Sequence, residues 1–488
     1  MIRLYNTLSR SVEDFTSINA NKVSMYSCGP TVYDYQHIGH MRRYVGDDIL
    51  IRVLKANGYD VHHVMNITDV GHLVSDSDTG EDKMEKGAKK YGVSVWDIAH
   101  RFEKQFVESA KELGIQLPEG KDLMHATDYI KEQIALIQIL EEKGYTYKLD
   151  DGIYYNTSKF PTYFALSRQN PDDLKKGARV DFVEGKKNAS DFALWKFSPA
   201  GEKRQMEWES PWGVGFPGWH IECSAMSMKA LGETLDIHTG GIDHISIHHS
   251  NEIAQSEAAT GKKFVNYWVH HNFLVVEGEK MSKSLGNFFT VQDVVDKGYD
   301  PLSLRYVYLQ THYRQEMNFT WEALDGAQKS LDKLRSIFSS SDSSRHPEQS
   351  EGSQSKNRDS SPSVQNDNET SPSVAWMKKF MDALNDDLNT AKALAVVWEM
   401  VKEDMLPGEK KATLLEMDKI LGLELGKKKK EEGEKIPDEV QALLKERKAF
   451  RKAGDWKASD ELRKKIEDLG FAVQDSKDSS TVTKLKKD

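Results

Sequence analysis

Two short stretches of this sequence carry side chains that suit the binding of a polyphosphate. The first is His37-Ile38-Gly39-His40, which follows the turn Cys28-Gly29-Pro30 and precedes a helical pattern that begins just past His40. A helix N-terminus binds anions because its first backbone N–H groups lack partners and carry the positive end of the helix dipole. Either histidine could also donate to a phosphate, and Gly39 would let a ligand approach closely. Alone, however, this motif is more often a capped turn with two surface histidines.

The second stretch is Lys280-Met281-Ser282-Lys283-Ser284, which supplies two ammonium groups and two hydroxyls within five residues. Mobile lysines can follow negative charge as it develops on a triphosphate, which stabilises the transition state electrostatically. A Lys/Ser loop is ordinarily solvated surface. Paired with His37 and His40 in the other half of a split nucleotide-binding fold, it predicts an ATP site.

A third group of residues has the chemistry of a metal site. Cys28 and Cys223 are the only cysteines, and each is predicted at the end of an element that faces the same cleft. His248 and Glu252 are four residues apart at the start of a predicted helix, so their side chains share one face. Together the four suit tetrahedral zinc. Two readings remain open: His249 could replace His248, or the cysteines are simply buried beside a helix-capping His–Glu pair.

The elements that must position these groups follow an α/β pattern. Residues 23–67 form a predicted strand–helix–strand unit with parallel strands, and Thr68-Asp69 lies at the edge where open α/β sheets bind ligands. A further strand at 235–238 leads into Thr239-Gly240-Gly241. A helix at 250–260 and a strand at 267–271 follow, with a hairpin-like stretch at 275–279. A charged stretch at 76–90 is predicted to be a mobile loop.

Composition divides the chain further. Residues 145–215 show short aromatic runs typical of strands, and 13 of the 35 residues at 339–373 are serine, which predicts disorder. The predicted segments are a first half of a nucleotide-binding fold (1–144), an inserted domain (145–215), a second half with the lysine loop (216–290), a helical region (291–338), the disordered insertion (339–373), a helical domain (374–426), and a linker with a C-terminal domain (427–488).

Length and charge narrow the class of protein. The 488 residues allow two to four domains, and 38% hydrophobic with 30% charged residues is typical of a soluble globular chain. No apolar run approaches the ~18 residues of a membrane span, and the N-terminus resembles no signal peptide. Two cysteines in so long a chain favour a reducing cytoplasm. The net charge of −10 argues against a wholly basic nucleic-acid binder, although residues 435–488 carry a balance of +3.

Combined, these motifs resemble the class I aminoacyl-tRNA synthetases and, within them, the cysteinyl-tRNA synthetases. The similarity covers nearly the whole chain. The stretches that carry it, beyond the two phosphate motifs, are Cys28-Gly29-Pro30-Thr31-Val32-Tyr33, Gly218-Trp219-His220-Ile221-Glu222-Cys223-Ser224-Ala225-Met226, His248-His249, Asn251-Glu252-Ile253-Ala254-Gln255 and Asp386-Asp387-Leu388-Asn389-Thr390.

The resemblance implies a fold and a set of site residues. The fold would be a Rossmann-like class I catalytic domain (1–144 and 216–290) with an inserted connective domain (145–215), followed by an α-helical domain and a small C-terminal domain. The helical region at 291–338 would contact the stem of the tRNA. The implied residues are His37, His40, Lys280 and Lys283 for catalysis; His37, Gly39, His40 and Lys283 for ATP; Gly29, Thr68, Trp219 and Asp243 for the substrate; and Cys28, Cys223, His248 and Glu252 for zinc.

The resemblance also implies an activity. L-Cysteine and ATP would form cysteinyl-adenylate and pyrophosphate, with Mg²⁺ on the triphosphate, and cysteine would pass to the 3′-terminal ribose of its tRNA, first to the 2′-hydroxyl. One zinc ion per chain would select the thiolate, since a neutral alcohol such as serine binds zinc poorly. The implied enzyme is a cytoplasmic monomer without membrane contact, and its C-terminal domain would bind the anticodon.

Two other functions would use some of the same residues. A cysteine-adenylating amino-sugar ligase would share the catalytic fold, but about 150 residues after the catalytic domain favour the synthetase. A non-catalytic RNA-binding paralogue would not need both phosphate motifs. The sequence departs from the family pattern at Ser250, where relatives often carry an acidic residue, at Val70-Gly71-His72, and in the insertion at 339–373.

Overall fold

The secondary structure alternates strands and helices up to the middle of the chain and is mainly helical after it. The computed structural model describes residues 1–70, 82–170, 185–199, 201, 204–339, 371–427, 437–453, 456–475 and 480–484. These residues form two compact units, 1–425 and 426–488. In the described parts of the chain, no helix combines the length and apolar character needed to cross a bilayer.

Unit 1 contains thirteen strands and twelve helices in its described residues. The strands are β1 (Arg3–Asn6), β2 (Ser11–Asp14), β3 (Lys22–Ser27), β4 (Asp60–Ile67), β5 (Leu123–His125), β6 (Thr146–Leu149), β7 (Gly152–Tyr155), β8 (Phe192–Phe197), β9 (Gly215–Pro217), β10 (Leu235–Gly241), β11 (Val265–His271), β12 (Leu274–Val276) and β13 (Met317–Phe319). The helices are α1 (Ile38–Ala56), α2 (Lys83–Tyr91), α3 (Val95–Glu112), α4 (Ile130–Glu142), α5 (Trp219–Leu231), α6 (His248–Thr260), α7 (Val291–Asp296), α8 (Pro301–Leu309), α9 (Trp321–Ser339), α10 (Val374–Asn385), α11 (Thr390–Lys402) and α12 (Pro407–Leu421).

A five-stranded parallel sheet forms the centre of unit 1. Its order is β11-β10-β3-β4-β5, and every neighbouring pair is parallel. From β3 the chain passes through α1 to β4 on one side, whereas β10 pairs on the other side and continues through α6 to β11. The order therefore reverses between β3 and β10. In open α/β sheets such a switch point, at the carboxyl ends of the strands, is where ligands bind.

A second sheet, which is antiparallel, is formed by a segment of the chain that separates the strands of the first sheet. Its order is β6-β7-β8-β9, and it lies in the chain between β5 and β10. Large aromatic side chains fill its core, including Tyr155 and Trp195, both fully buried. They belong to a cluster that also contains Ile221 of α5 and Ala254 of α6. The sheet therefore packs against the two helices that follow it in the chain.

The later helices pack onto the sheet through α1. The guanidinium of Arg305, on α8, is fully buried and forms an ion pair of 2.5 Å with Asp48 of α1. It also donates to the carbonyls of Leu113 and Leu421, at 3.0 and 2.6 Å. Because Leu421 ends α12, the side chain of Arg305 joins α1 to the last helix of the unit.

Unit 2 is small and has its own core. It contains α13 (Asp438–Ala453), α14 (Trp456–Asp468) and the antiparallel pair β14 (Phe471–Asp475) and β15 (Ser480–Lys484). The described buried residues of this core are Val440, Ile466, Phe471 and Val473.

The fold class predicted from the sequence is confirmed, and two local predictions are wrong. Helix α1 begins at Ile38, before His40, because the side chain of His37 caps it. Residues 83–90 of the loop predicted at 76–90 belong to α2 (Lys83–Tyr91), which is capped by Asp82 and ended by left-handed Gly92 (φ 66°), whereas residues 76–81 lie outside the described residues. Nearly all of the predicted disordered insertion (residues 340–370 of 339–373) and positions 428–436 of the predicted linker lie outside the described residues.

Candidate active site

The predicted site residues gather at the carboxyl ends of the central strands. Cys28 follows β3 directly, Thr68 follows β4, and the turn at 242–244 that carries Asp243 follows β10. Both Cys223 and Trp219 lie on α5, and α6 begins with the pair His248 and His249. The topology thus brings residues that are about 200 positions apart to the switch point of the sheet.

Four of these side chains form a buried cluster. One donor atom from each of Cys28, Cys223, His248 and Glu252 lies within 4.8 Å of every other. None of the four is more than 3% exposed. Their elements explain this: Cys28 lies at the end of a strand, Cys223 lies one turn into α5, and His248 and Glu252 share a face of α6.

The ionisable groups of the cluster change one another's pKa values. Burial by itself would raise the pKa of Glu252. Electrostatic attraction and hydrogen bonds from His238 and His248 have the larger effect and lower this pKa to about 2. Burial likewise disfavours the imidazolium of His248, yet hydrogen bonds to Cys223 and Glu252 raise its pKa to about 10. Burial raises the pKa of Cys28, and the hydrogen bond with Cys28 together with burial raises that of Cys223 well above its usual range. The metal-free cluster therefore favours thiols beside a His–Glu ion pair.

A second, overlapping set replaces two of the donors. Cys28, His238, His249 and Glu252 also have donor atoms within 4.8 Å of one another. In this set Nε2 of His249 lies 3.3 Å from the Cys28 sulfur, and its Nδ1 lies 2.7 Å from His270 Nε2. His249 therefore lies close enough to be an alternative ligand, which the sequence also left open.

The donor chemistry of the first set fits zinc. Two sulfur atoms, an imidazole nitrogen and a carboxylate oxygen are ligands that zinc takes in tetrahedral sites, where donor atoms lie roughly 3.3–3.8 Å apart. The other polar atoms of these ligands are already held: Nδ1 of His248 lies 2.8 Å from His220 Nδ1, and Oε2 of Glu252 lies 2.9 Å from His238 Nε2. Such outer contacts orient metal ligands. By contrast, the hydroxyl of Ser250 donates to the carbonyl of Ile245 at 2.8 Å.

His37 and His40 lie at the start of α1 with their rings stacked at 3.5 Å between centroids. Nδ1 of His37 accepts hydrogen bonds from the backbone N–H groups of Gly39 and His40, at 3.1 and 3.2 Å. An atom that accepts these bonds carries no proton, so the proton of a neutral His37 lies on Nε2. Burial lowers the pKa of His37 to about 4, which keeps the ring neutral near pH 7.

This arrangement changes the expected anion site. The backbone N–H of Ile38 donates to the carbonyl of Phe289 at 2.8 Å, and the next two N–H groups are capped by His37. The backbone donors at this end of α1 are therefore occupied within the protein. The donors that the motif can offer to a phosphate are therefore on its side chains, among them Nε2–H of His37.

The lysine loop contacts the first motif directly. Its Lys283 forms an ion pair with Asp34, three residues before His37. A Cβ atom at Gly39 would lie 3.2 Å from Cε of Met281, so glycine there allows the loop to approach α1 closely. Within the loop, Asn287 accepts from the N–H of Ser282 at 2.8 Å and donates to the carbonyl of Lys280 at 3.2 Å.

Among the predicted substrate residues, Gly29 directly follows Cys28 and Trp219 packs beside the same cluster. The Trp219 ring lies 4.5 Å from that of His248, between centroids. At Gly29, a Cβ atom would fall 1.5 Å from the carbonyl oxygen of Asn66, so no side chain is possible there. The side chain of Asp243 is 58% exposed and lies on the turn after β10. Val70 is buried, whereas Gly71 and His72 lie outside the described residues.

Sequence reasoning missed Asn66 and Glu222. Asn66, at the end of β4, accepts from the N–H of Gly29 at 2.6 Å, and Glu222 accepts from the hydroxyl of Thr68 at 2.9 Å. Burial raises the pKa of Glu222 well above its usual range. Glu222 stands in the quoted stretch around Cys223, and its charge within an otherwise apolar helix face was the signal that could have indicated it.

Family comparisons match three parts of the chain. Residues 14–329 match the tRNA synthetases class I (C) catalytic domain, residues 379–403 match the DALR domain, and residues 434–482 match the cysteinyl-tRNA ligase anticodon binding domain. The amino-sugar ligase considered from the sequence is not supported by these matches.

Full-length relatives agree with the domain matches. The chain is 46% identical over 477 residues to cysteine–tRNA ligase 1 of Burkholderia lata, covering 97% of this chain and 95% of the relative. It is 43% identical over 498 residues to the cysteine–tRNA ligase of Treponema denticola, covering 99% and 100% of the two chains.

A solved structure shows the same fold at low sequence identity. The methionyl-tRNA synthetase of Mycobacterium tuberculosis, in complex with methionyl-adenylate, superposes with a TM-score of 0.52 at 15% identity, covering 82% of this chain and 90% of that one. With the catalytic-domain match, the anticodon-domain match and two relatives above 40% identity, this chain belongs to the cysteine–tRNA ligase family of class I aminoacyl-tRNA synthetases.

Proposed function

We propose that this protein ligates L-cysteine to its cognate tRNA in an ATP-dependent reaction. Cysteinyl-adenylate and pyrophosphate form first, and cysteine then passes to the 3′-terminal ribose of the tRNA. The observation that carries the proposal is the buried Cys28–Cys223–His248–Glu252 cluster at the switch point of the central sheet. The histidine motif lies at the start of α1, which follows β3 of that sheet, and the lysine loop reaches it through the ion pair of Lys283 with Asp34. A thiol-selective centre beside an adenylation site is what cysteine activation requires.

Zinc is the metal that we propose for this cluster, held by Cys28, Cys223, His248 and Glu252. When bound there, zinc offers a Lewis-acidic position that prefers a thiolate to the alcohol of serine. Such a preference is needed because an ordinary pocket distinguishes such similar side chains by only ~1–3 kcal/mol. The protein's own contribution is to orient the ligands through His220 and His238.

On the phosphate side, His37, His40, Lys280 and Lys283 would bind ATP, with Gly39 at the point of closest approach. The neutral His37 presents Nε2–H, which can donate to a phosphate oxygen without adding a full charge. Lys283 adds the positive charge that the developing pyrophosphate needs, once it leaves Asp34. Mg²⁺ is expected to accompany the triphosphate.

On the cysteine side, Gly29, Thr68, Trp219 and Asp243 would line the pocket. Trp219 packs beside His248, so an amino acid that reaches the metal cluster would meet the indole ring. Position 29 must be glycine because its backbone abuts the carbonyl of Asn66, so this residue places no side chain in the pocket beside Cys28. The carboxylate of cysteine would then point from this pocket toward the α-phosphate of ATP.

The domain boundaries predicted from the sequence also remain proposals. The antiparallel sheet between β5 and β10 supports an inserted connective domain at 145–215 that divides the catalytic domain into 1–144 and 216–290. The later helices support a helical region and a helical domain, and unit 2 supports the C-terminal domain as an anticodon reader. We further propose a cytoplasmic monomer, as the family resemblance implies, and the two free thiols fit a reducing compartment.

Cysteine-dependent ATP–pyrophosphate exchange, followed by charging of cognate tRNA, tests the function. We expect exchange with cysteine, little with serine, and charging of only the tRNA that accepts cysteine. Exchange without charging of any tRNA would contradict the tRNA substrate. Absence of exchange from zinc-loaded protein would contradict the reaction itself. Deleting unit 2 should leave exchange intact while it weakens charging, because the adenylation residues all lie in unit 1.

A further inference from the structure

The segment that carries the lysine loop is tied to α1 on both sides of the loop. After the loop, the carbonyl of Phe289 accepts from the backbone N–H of Ile38 at 2.8 Å. Before the loop, the chain passes through β12, which pairs in parallel with β13. Arg42 connects this strand pair to α1, and it lies on the helix two residues after His40.

The guanidinium of Arg42 bridges the two segments that lead into these strands. Its Nη1 donates to the carbonyls of Asn272 and Phe273, directly before β12, at 3.0 and 2.7 Å. Its Nη2 donates to the carbonyls of His312 and Gln315, shortly before β13, at 3.2 and 2.8 Å. The residue is only 5% exposed. The N–H groups of both terminal nitrogens are thereby all engaged within the protein, so they hold these segments rather than a substrate.

The two segments are also bonded to each other. The backbone N–H of Asn272 donates to the carbonyl of Tyr313 at 2.8 Å, and its side-chain amide donates to the carbonyl of Arg314 at 2.9 Å. Together with the strand pair, they form one unit that we call the strand-pair support (residues 272–276 and 312–319). The guanidinium fixes this support to α1.

The strand-pair support continues directly into the lysine loop. The backbone N–H of Glu277 donates to the carbonyl of Phe319 at 3.0 Å, and the N–H of Gly278 donates to Oδ1 of Asn318 at 2.8 Å. Lys280 follows two residues later. The loop therefore leaves the support at a point that is fixed relative to α1.

This arrangement determines how the two phosphate motifs are placed relative to each other. The motifs are about 240 positions apart in the chain, so their separation depends on tertiary contacts. Arg42 and His40 are about 3 Å apart along the axis of one helix, because each residue adds 1.5 Å. A misplacement of roughly 1 Å between reacting groups can cost about 10²-fold in rate. A contact that fixes the base of the loop therefore has consequences for catalysis.

We propose that Arg42 is a positioning residue for adenylate formation. By holding the strand-pair support on α1, it sets where Lys283 stands relative to His37 and His40 when ATP is bound. Lysine could not replace it, because an ammonium group donates from a single point and cannot bridge two segments as the guanidinium fork does. The inference rests on the proposed function and adds to it a residue that does not itself contact the nucleotide.

The effect of Lys283→Ala, measured with and without Arg42, tests the proposal. In the otherwise unaltered protein, Lys283→Ala should slow adenylate formation by roughly 10²–10³-fold. Arg42→Lys keeps the charge but not the bridge, so adenylate formation should already be slow. Lys283→Ala should then slow it further by less than about 10-fold, since the lysine is no longer in place.

Rapid-quench kinetics of zinc-loaded protein measures these rates. Zinc content and KM for cysteine should stay unchanged in Arg42→Lys, because the strand-pair support includes no ligand of the metal cluster. An Arg42→Lys protein in which Lys283→Ala keeps its full effect would overturn the proposal.

Arg52 offers a matched control on the same helix. Its guanidinium also joins separate segments, since it donates to the carbonyls of Gly114 and Lys419 at 2.8 and 2.7 Å and pairs with Asp48. Arg52→Lys should lower the free energy of unfolding, but Lys283→Ala should keep its full effect there. If Arg52→Lys and Arg42→Lys reduced that effect equally, the cause would be a general loss of stability, and the proposal would be wrong.

Asn272 gives a second route if Arg42→Lys does not fold. Asn272→Ala removes the side-chain bond to Arg314 from a partly buried position and leaves the four backbone acceptors of Arg42 in place. It should reduce the effect of Lys283→Ala by about 2- to 5-fold, as expected for one hydrogen bond. An unreduced effect would contradict the role of the strand-pair support. Failure of the proposed function is distinguishable, because wild-type protein would then show no cysteine-dependent exchange, whereas failure of this inference leaves exchange intact.

Discussion

The ammonium of Lys283 is paired with the carboxylate of Asp34, which joins the lysine loop to the turn that leads into α1. Asp34 lies three residues before His37, so the lysine already stands beside the histidine motif. The pair is partly exposed, with 54% and 30% of the two side chains accessible, and exposed pairs are weak. A bound triphosphate can therefore take the lysine from Asp34 at little cost.

Replacement of Lys283 by alanine should slow adenylate formation far more than it weakens cysteine binding. Loss of one preorganised charge at the transition state typically costs roughly 10²–10³ in rate. Rapid-quench measurement of adenylate formation, with KM for cysteine from exchange, checks this. Lys262→Ala, which removes a surface lysine paired with Glu233, should leave both quantities unchanged. A defect confined to cysteine affinity would count against the role.

Removal of Asp34 should act in the opposite direction on nucleotide binding. Asp34→Asn frees Lys283 for phosphate, so KM for ATP should fall by about 2- to 5-fold, in line with the small free energy of an exposed ion pair. Steady-state exchange over a range of ATP concentrations measures it. An increase in KM for ATP would show instead that Asp34 itself helps to bind the nucleotide.

Substitution of either cysteine should abolish both zinc binding and cysteine activation. Cys28→Ala and Cys223→Ala each remove one of two sulfur donors from a buried set of four. Metal content by mass spectrometry should fall from one zinc per chain to a small fraction. Ser227→Ala, one turn further along α5, should retain the metal. A zinc-free Cys223→Ala protein with wild-type ATP–pyrophosphate exchange would contradict selection of the thiol by zinc.

Two substitutions at His37 should separate its structural and functional roles. Asparagine is a good N-cap residue, so His37→Asn should preserve stability, whereas His37→Ala should lose about 1 kcal/mol. Both remove Nε2–H and should slow adenylate formation. Urea unfolding and single-turnover kinetics provide the two measurements. Normal kinetics in His37→Asn would indicate that capping is the whole role of the side chain.

The metal-free cluster should give a characteristic dependence of stability on pH. The pKa of His248 rises from 6.5 to about 10 on folding. Its contribution to the free energy of unfolding is therefore complete below pH 6.5 and is lost as pH rises through 10. The pKa of Glu252 falls from 4.5 to about 2, so its contribution is complete above pH 4.5 and is lost as pH falls through 2.

In chelator-treated protein, the contribution of His248 and Glu252 to the free energy of unfolding should therefore be complete between about pH 4.5 and 6.5. Thermal unfolding across pH, compared with a Glu252→Gln variant, measures the contribution. Zinc affinity should rise with pH, since the thiols and His248 must lose protons to bind metal. A zinc affinity that does not change between pH 6 and 8 would contradict these ligands.

Truncation of Arg305 should destabilise unit 1 severely. Arg305→Met leaves Asp48 buried with a weakened charge balance and two carbonyls without a donor, which typically costs about 3–5 kcal/mol. Arg3→Met, which breaks an exposed pair with Asp386, should cost less than about 1 kcal/mol. Urea unfolding compares the two. Similar losses would mean that the buried pair does not couple α1 to the later helices.

Local patterns in the sequence predicted much of the catalytic fold. The apolar spacing in α1 and the short strand patterns of β3, β4 and β10, such as the alternation of Val23 and Met25, are useful signals because they depend on near neighbours only. The error at α2 has a physical cause: Met84 and Ala88, both buried, are only two apolar residues in a highly charged stretch, and packing rather than pattern stabilises that helix.

For the site, the sequence by itself determined which residues have the required chemistry: two thiols, a His–Glu pair, two histidines and a lysine loop. It could not decide how those groups use their atoms. Only the tertiary structure showed that Nδ1 of His37 accepts hydrogen bonds from its own helix and that Lys283 pairs with Asp34. It also showed that Thr68 lies between Asn66 and Glu222 in a hydrogen-bonded series. Each depends on contacts across many positions of the chain or on hydrogen-bond direction, and residue spacing carries no information about either.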